Sequence, residues 1–197
     1  MTGRIFNLVS TALVAIAVAG CGTSAPARFY TLDSTAVPSG APATSAAVVV
    51  GPVTVPAAVD QPQMVVQVAP NRVEVDEFNR WVAPLNDSIA RVVAGDLVVQ
   101  LGTPEIATAQ LANFDPAYRV TIDVQRFQSI QGQSALVEAV WAVRKTASGE
   151  TRSGRTDARE AVQGQGFDAL AAAHSRALAT VSRDIAATIR AEAAEKQ

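Results

Sequence analysis

Cysteine, histidine, aromatic residues and charge are all scarce in this chain of 197 residues. There is one cysteine, Cys21, and one histidine, His174, while aromatic residues make up 5% and charged residues 17% of the total. A lone cysteine excludes an intramolecular disulfide, so burial of apolar surface must carry the stability. A lone histidine with no free thiol beside it leaves too few soft ligands for a metal site, and none is expected. The 16 basic and 18 acidic residues give a net charge of −2. No nucleic-acid partner is expected on that balance, because such surfaces cluster Lys and Arg to displace counterions. Heptads, a Gly-x-y repeat and a charge-dominated composition are missing as well, which argues against a long coiled coil, collagen and wholesale disorder. What the chain has in quantity is small and apolar: 38 alanines and 27 valines occupy 65 of the 197 positions. A single domain of this length can bury a sizeable core.

The N-terminus reads as an address. Arg4 is the one cation of a short leading region, and the stretch from Ile5 to Ala19 is apolar apart from Asn7, Ser10 and Thr11. It is shorter than the roughly 20 apolar residues a membrane-spanning helix needs, so residues 1–20 are expected to be a secretory signal peptide. Its end, Val18-Ala19-Gly20-Cys21, matches a bacterial lipobox. The small residues let an extended chain enter the peptidase, and the Cys21 sulfur is the atom that takes the diacylglycerol. Cleavage before Cys21 would leave 197 − 20 = 177 residues and remove Arg4, taking the net charge to −3. Each buried CH₂ of an acyl chain adds about 0.8 kcal/mol, enough in a multiply acylated cysteine to hold the protein on a membrane. Gly22 stands where an aspartate would favour inner-membrane retention, so the periplasmic side of the outer membrane is the expected location.

Residues 21–28 are expected to be a lipidated tether and residues 29–197 the folded domain. Phe29 to Leu32 is a brief β-type run, and Ser34 to Ala47, uncharged and rich in Ser, Thr, Ala and Pro, reads as a flexible loop. Val48 to Pro56 is a β-branched strand broken by Gly51-Pro52. Met64 to Val68 and Arg72 to Phe78 flank the turn signal Ala69-Pro70-Asn71 and suggest a hairpin. Leu85, Ile89, Val92, Val93, Leu97 and Leu101 recur at helical spacing after Pro84, with Gly102 placed for a left-handed cap. Asn86, Asp87, Arg91 and Asp96 are read as the opposite, polar face. Tyr118, Val120, Ile122 and Val124 alternate with polar residues until the phase slips near Arg126-Phe127, which predicts a bulge. Strands are expected at Ala135–Val143 and, as a polar edge, Thr151–Val162. Phe167, Leu170, His174, Leu178, Val181, Ile185 and Ile189 form the stripe of an alanine-rich helix of about 39 Å. The expected fold class is α+β: a single domain with a mixed or antiparallel sheet and two helices mainly on one face, in the order βββ-α-βββ-α.

No catalytic constellation appears. There is no Gly-x-Ser-x-Gly elbow, no His-Glu-x-x-His and no phosphate-binding glycine loop with lysine, and Gly164-x-Gly166 reads as a plain loop. His174 falls on the last helix's apolar stripe and is expected to be a core histidine with both ring nitrogens satisfied. The scattered carboxylates Asp87, Asp96, Asp115, Asp157 and Glu160 are read as solvated. Trp81 and Trp141 are expected to be large pieces of an otherwise small-residue core.

Several stretches together resemble one family. Tyr30-Thr31-Leu32, Gly51-Pro52-Val53-Thr54-Val55-Pro56, Asp60-Gln61-Pro62-Gln63-Met64-Val65-Val66, Asn71-Arg72-Val73, Phe78 through Leu85, and the alanine-rich last helix are similar to the ABC-type transport auxiliary lipoproteins (PqiC-like). The chain departs from that pattern at Ala57-Ala58-Val59, where the family often has an aromatic-plus-leucine pair, and at Gln67, where arginine is common. The resemblance implies a non-enzymatic accessory subunit without a cofactor. It would be anchored to a membrane through Cys21 and dock the Mce-domain protein that bridges the periplasm, in a system with an ABC permease and ATPase. It leaves homo-oligomeric rings open and transfers no partner-contacting residue. The alternative is a structural or assembly lipoprotein of another outer-membrane complex.

Overall fold

The sheet is organised around one long strand whose alternation is the cleanest in the chain. The computed structural model describes residues 25–109 and 113–194; the expected signal segment, Cys21 and the tether up to residue 24 lie outside them. The elements are β1 (Arg28–Tyr30), β2 (Val48–Thr54), β3 (Gln63–Ala69), β4 (Arg72–Trp81), α1 (Leu85–Leu101), β5 (Ile106–Ala107), β6 (Tyr118–Ile130), β7 (Ser134–Lys145), β8 (Thr151–Ala161) and α2 (Gly166–Ala194). On β6, Tyr118, Val120, Ile122 and Val124 are buried while Arg119, Thr121, Asp123 and Gln125 are exposed. One edge of β6 pairs antiparallel with β7, which pairs antiparallel with β8. Its other edge is shared by two parallel neighbours: β2 along Tyr118–Asp123 and β3 at Ser129 and Ile130. β3 continues into β4 as a hairpin, and β1 lies parallel to the end of β4.

This is the expected α+β fold with one mixed sheet and two helices. The β-type run at Phe29 is realised as β1, and the two-residue β5 is an unexpected addition. Both are created by parallel pairing with distant strands, Asn79–Trp81 and Val48–Val49 respectively, and are too short to show a period. The predicted bulge sits between Val124 and Arg126 in the β6–β7 ladder; Gln125 is the extra residue, so Phe127 can return to the buried face.

Both helices cover the same face. Ile89, Val93, Leu97 and Leu101 of α1, and Leu170, Leu178, Val181, Ile185 and Ile189 of α2, are all buried in one apolar cluster with the inner residues of β2, β6 and β7. Ala173 and Ala177 are fully buried, as expected where small side chains let a helix approach a sheet closely. Gly102 caps α1 at φ 68°, its N–H reaching Val98 O at 3.0 Å; a residue with a Cβ would be strained there. On the opposite face, Arg126 and Arg155 approach Glu138 at 2.8 and 3.1 Å, which gives that side a charged surface.

Two sequence readings are corrected here. Asp96 is not on a solvated face: it is fully buried. The stretch Ser34–Ala47 has no regular secondary structure, yet it is strapped along the helices rather than left loose. Asp96 Oδ1 accepts from Ser34 Oγ at 2.7 Å and from the N–H groups of Thr35 and Ala36, both at 3.1 Å. Asp96 Oδ2 accepts from Ser182 Oγ of α2 at 2.9 Å. Farther along, Arg190 donates to Pro42 O at 2.6 Å and Gln100 O at 2.5 Å, and Thr44 N–H to Leu101 O at 2.9 Å. An uncharged composition of Ser, Thr, Ala, Pro, Gly and Val suggests a flexible loop, but the segment's own backbone donors are what a buried carboxylate requires.

Trp141 is a core residue as expected. Its ring lies over Gly154 of β8, and its Nε1–H donates to Thr156 Oγ1 at 3.0 Å. Thr156 in turn donates to Asp184 Oδ2 of α2 at 2.6 Å. A Cβ on Gly154 would stand 2.3 Å from Trp141 Cζ2, which no small relaxation accommodates. Gly154→Ala should therefore destabilise the fold by about 1–3 kcal/mol, read as a lower midpoint in urea unfolding. Asp96→Ala should cost about 2–4 kcal/mol, because several donors lose a charged acceptor. It should also open residues 34–47 to limited proteolysis, whereas Asp96→Asn should keep part of both.

Candidate docking groove beside the tether

The exposed part of the structure that most resembles a site is built where β1, β4 and the entry to α1 meet. It starts from a departure in the hairpin ladder. Gln63 pairs with Arg80 but Met64 pairs with Asp76, so Glu77, Phe78 and Asn79 bulge out of β4. Asp76 ties the bulge: its Oδ1 accepts from Phe78 N–H at 2.9 Å, Asn79 N–H at 2.8 Å and Asn79 Nδ2 at 2.9 Å. Partial burial alone would raise the Asp76 carboxyl, but the hydrogen bonds from Asn79 and Phe78 outweigh it and hold its pKa below the usual carboxylate value. Asn79 Oδ1 then accepts from Tyr30 OH at 2.7 Å, and the register Tyr30 to Trp81 seats β1 beside the strand.

Beneath this surface Trp81 points inward. It meets Phe127 of β6 edge-on at 6.0 Å and His174 of α2 edge-on at 6.3 Å. Phe127 and His174 stack nearly parallel, 3.9 Å apart at 7°. Three elements distant in sequence are thereby locked together, and Trp81 and His174 are core residues as expected. One detail of the expectation fails. His174 Nε2 lies 2.8 Å from Ser129 Oγ, but Nδ1 has no hydrogen-bond partner among the described residues. A neutral ring with its proton on Nε2 leaves only a bare lone pair at Nδ1, which costs less than an orphaned N–H. Complete burial pushes the His174 pKa down to about 3, and no cluster of metal-ligating side chains occurs among the described residues. A buried, uncharged ring with one bonded nitrogen offers no access to a substrate.

Above the aromatic floor, Phe29, Asp60, Pro62, Arg80, Val82 and Pro84 line an open groove of about 350 Å³. Trp81 N–H donates to Pro62 O at 2.7 Å and Val82 N–H to Tyr30 O at 3.0 Å, which fixes the two walls relative to each other. Phe29 is 62% and Val82 58% exposed, large values for apolar side chains that line one groove. Arg80, held by Glu77 O at 3.0 Å, and Asp60 place opposite charges on the rim. The groove suits a partly apolar polypeptide surface and holds no nucleophile–base pair.

Cys21, the one site residue expected from sequence, lies outside the described residues. No reading of the sequence singled out the groove's rim, although a signal was present: the stretches at Asp60–Val66 and Phe78–Leu85, separately quoted for the resemblance, both line it, and Tyr30 borders it through its bond to Val82.

The family model described as ABC-type transport auxiliary lipoprotein component matches residues 30–186. No curated protein matches the chain. A crystal structure of a Xanthomonas campestris protein superposes with a TM-score of 0.71 at 20% identity, covering 86% of this chain and 100% of that one. A second crystal structure, of an uncharacterised protein, gives a TM-score of 0.68 at 18% identity over 84% of this chain and 99% of the other. These two likenesses establish a shared fold.

The burial of His174 has a measurable consequence. Its folded pKa lies near 3, below the value of 6.5 for a free histidine, so the unfolded chain binds the proton first as pH falls. The contribution of His174 to stability is thus complete above about pH 6.5 and lost progressively toward pH 3, at up to roughly 1.4 kcal/mol per pH unit. The His174 ring signals should not titrate between pH 4 and 8 by NMR, and His174→Phe should flatten that part of the stability profile.

Proposed function

The chain belongs to the ABC-type transport auxiliary lipoprotein family, and from that premise we propose that it is a non-enzymatic, membrane-anchored subunit that docks the periplasmic bridging protein of an ABC/Mce-type lipid transport system. The observation that supports the proposal is the meeting of two family-like stretches, Asp60–Val66 and Phe78–Leu85, in one groove beside the point where the tether enters the fold. Phe29 lies eight residues after Cys21, so a fully extended tether reaches at most about 29 Å. An acylated Cys21 would therefore keep the groove within that distance of the bilayer, on the periplasmic side of the outer membrane. A partner spanning the periplasm would meet Phe29, Val82 and the Arg80–Asp60 rim. The apolar pair would supply the contact area and the charges its orientation. The reading needs no catalytic group and no cofactor from this chain.

The test is co-purification from membranes in which the Mce-domain protein and the ABC permease and ATPase are expressed. Wild-type chain should retain the Mce-domain protein. Phe29→Glu combined with Val82→Glu, both exposed and so harmless to folding, should lower recovery at least tenfold without changing the unfolding midpoint. Cys21→Ser should release the protein from the membrane fraction. Equal recovery with the double variant would remove the groove from the interface. Failure of the wild-type chain to retain any Mce or ABC component would favour an assembly role in another complex.

A further inference from the structure

The side of the sheet turned away from the helices is not electrically balanced. On β6–β8 it carries five arginines (Arg119, Arg126, Arg144, Arg155 and Arg159) against three carboxylates (Asp123, Glu138 and Asp157). This positive surplus stands on a chain whose net charge is −2. The carboxylates are engaged within the face. Glu138 meets Arg126 at 2.8 Å and Arg155 at 3.1 Å, and Asp157 meets Arg155 at 3.5 Å. Asp123 accepts from Thr54 Oγ1 at 2.5 Å and from Gln125 Nε2.

Toward the start of β6 the pattern changes. Arg119 stands directly opposite Arg144 in the β6–β7 ladder, and both are exposed. Thr146 N–H donates to Ala117 O at 2.9 Å. That makes Ala117–Thr146 a hydrogen-bonded pair and, two residues on, Arg119–Arg144 another. The Cα atoms of such a pair lie about 5.5 Å apart, with both side chains on one face. Val49 of β2 and Thr151 of β8 flank the two arginines, and the next row, Thr121, Ala142 and Ser153, is uncharged as well. Among the described residues Arg144 forms no ion pair. Like charges directly opposite each other destabilise an antiparallel ladder, so the isolated fold gains nothing from this row. Anionic groups held by both guanidiniums would turn the repulsion into attraction.

The position of the row indicates which anion fits. β1 is parallel to β4, β4 antiparallel to β3 and β3 parallel to β6, so β1 runs antiparallel to β6. The tether therefore enters from the side on which β6 ends, whereas Arg119 is the second residue of that 13-residue strand. Given an anchor at Cys21, as in the reading above, the bilayer lies on the tether's side and its headgroups are a poor match for this row. An open sheet face suits a polypeptide surface, whereas small ligands are held in concave sites. Each guanidinium can take a side-chain carboxylate through two parallel N–H···O bonds.

From the opposed arginines and the surplus charge around them we infer that the Arg119–Arg144 end of this face is the docking surface for an acidic segment of another polypeptide, one with neighbouring Asp or Glu residues. Neither arginine lines the groove at Phe29, so either surface can be lost without the other.

Fluorescence anisotropy with a labelled hexaglutamate peptide tests the inference on the full-length chain in a neutral detergent. Wild type should bind, with an affinity that falls as salt is raised. Arg119→Gln combined with Arg144→Gln should weaken binding at least tenfold, and Arg144→Gln alone at least threefold. A charge-matched control, Arg126→Gln combined with Arg159→Gln, removes two cations from the same face and should change binding less than twofold. Equal weakening by the control would reduce the effect to general attraction and overturn the inference. Weakened binding accompanied by a lower urea midpoint in both Arg144 variants would mark the pair as structural, with the same consequence. Failure of wild type to bind hexaglutamate would also overturn it. So would phosphatidylglycerol vesicles that bind through Arg119 and Arg144, since the row would then serve headgroups.

Discussion

The packing of Trp81 against Phe127 and His174 is the contact on which the groove end of the molecule depends. The β3–β4 hairpin shares few ladder positions with β6, and without a disulfide nothing covalent can tie it down. The Trp81 side chain crosses from β4 to pack edge-on against the stacked pair of Phe127 on β6 and His174 on α2, so one residue joins the hairpin to both layers. Large aromatic surfaces contribute more burial per residue than the surrounding alanines and valines. Immediately after Trp81 the chain turns outward through Val82, and Pro84 begins α1. The groove is therefore the outer side of a junction whose inner side is the aromatic stack.

Asp96 performs a comparable service at the other end of the helices. A buried carboxylate is costly unless its oxygens are occupied, and here the strap and Ser182 occupy them. The same atoms hold α1 to α2 and bring residues 34–36 alongside. β1 is thus secured on both sides: by its ladder to β4 and by the strap that follows it.

Much of this architecture is legible in the residues because it depends on local periodicity. The alternation of Tyr118 to Val124, the helical stripes from Leu85 and Phe167, the Gly102 cap and the slip near Arg126 each declare themselves within one element, and each appears in the fold. Asp96 was misread because its helical position, between Val93 and Leu97 on the buried side and Val98 outside, does not tell whether a neighbouring segment will bring donors. The groove escaped notice for a similar reason. Its walls come from Phe29, Pro62 and Val82, and no window short enough to scan contains all three.

The sequence by itself determined the family-like stretches, the β-branched strands, the two amphipathic helices and the impossibility of disulfide support. Each of these follows from residue type and spacing along the chain. Which residues meet was decided by tertiary structure: β6 accepts two different strands on one edge, β1 stops short at Asn79, and a carboxylate sits under a strap drawn from 60 residues away. The physical reason is that backbone pairing and buried charge are satisfied by whatever group the fold brings near. A partner defined by proximity leaves no mark at either position alone.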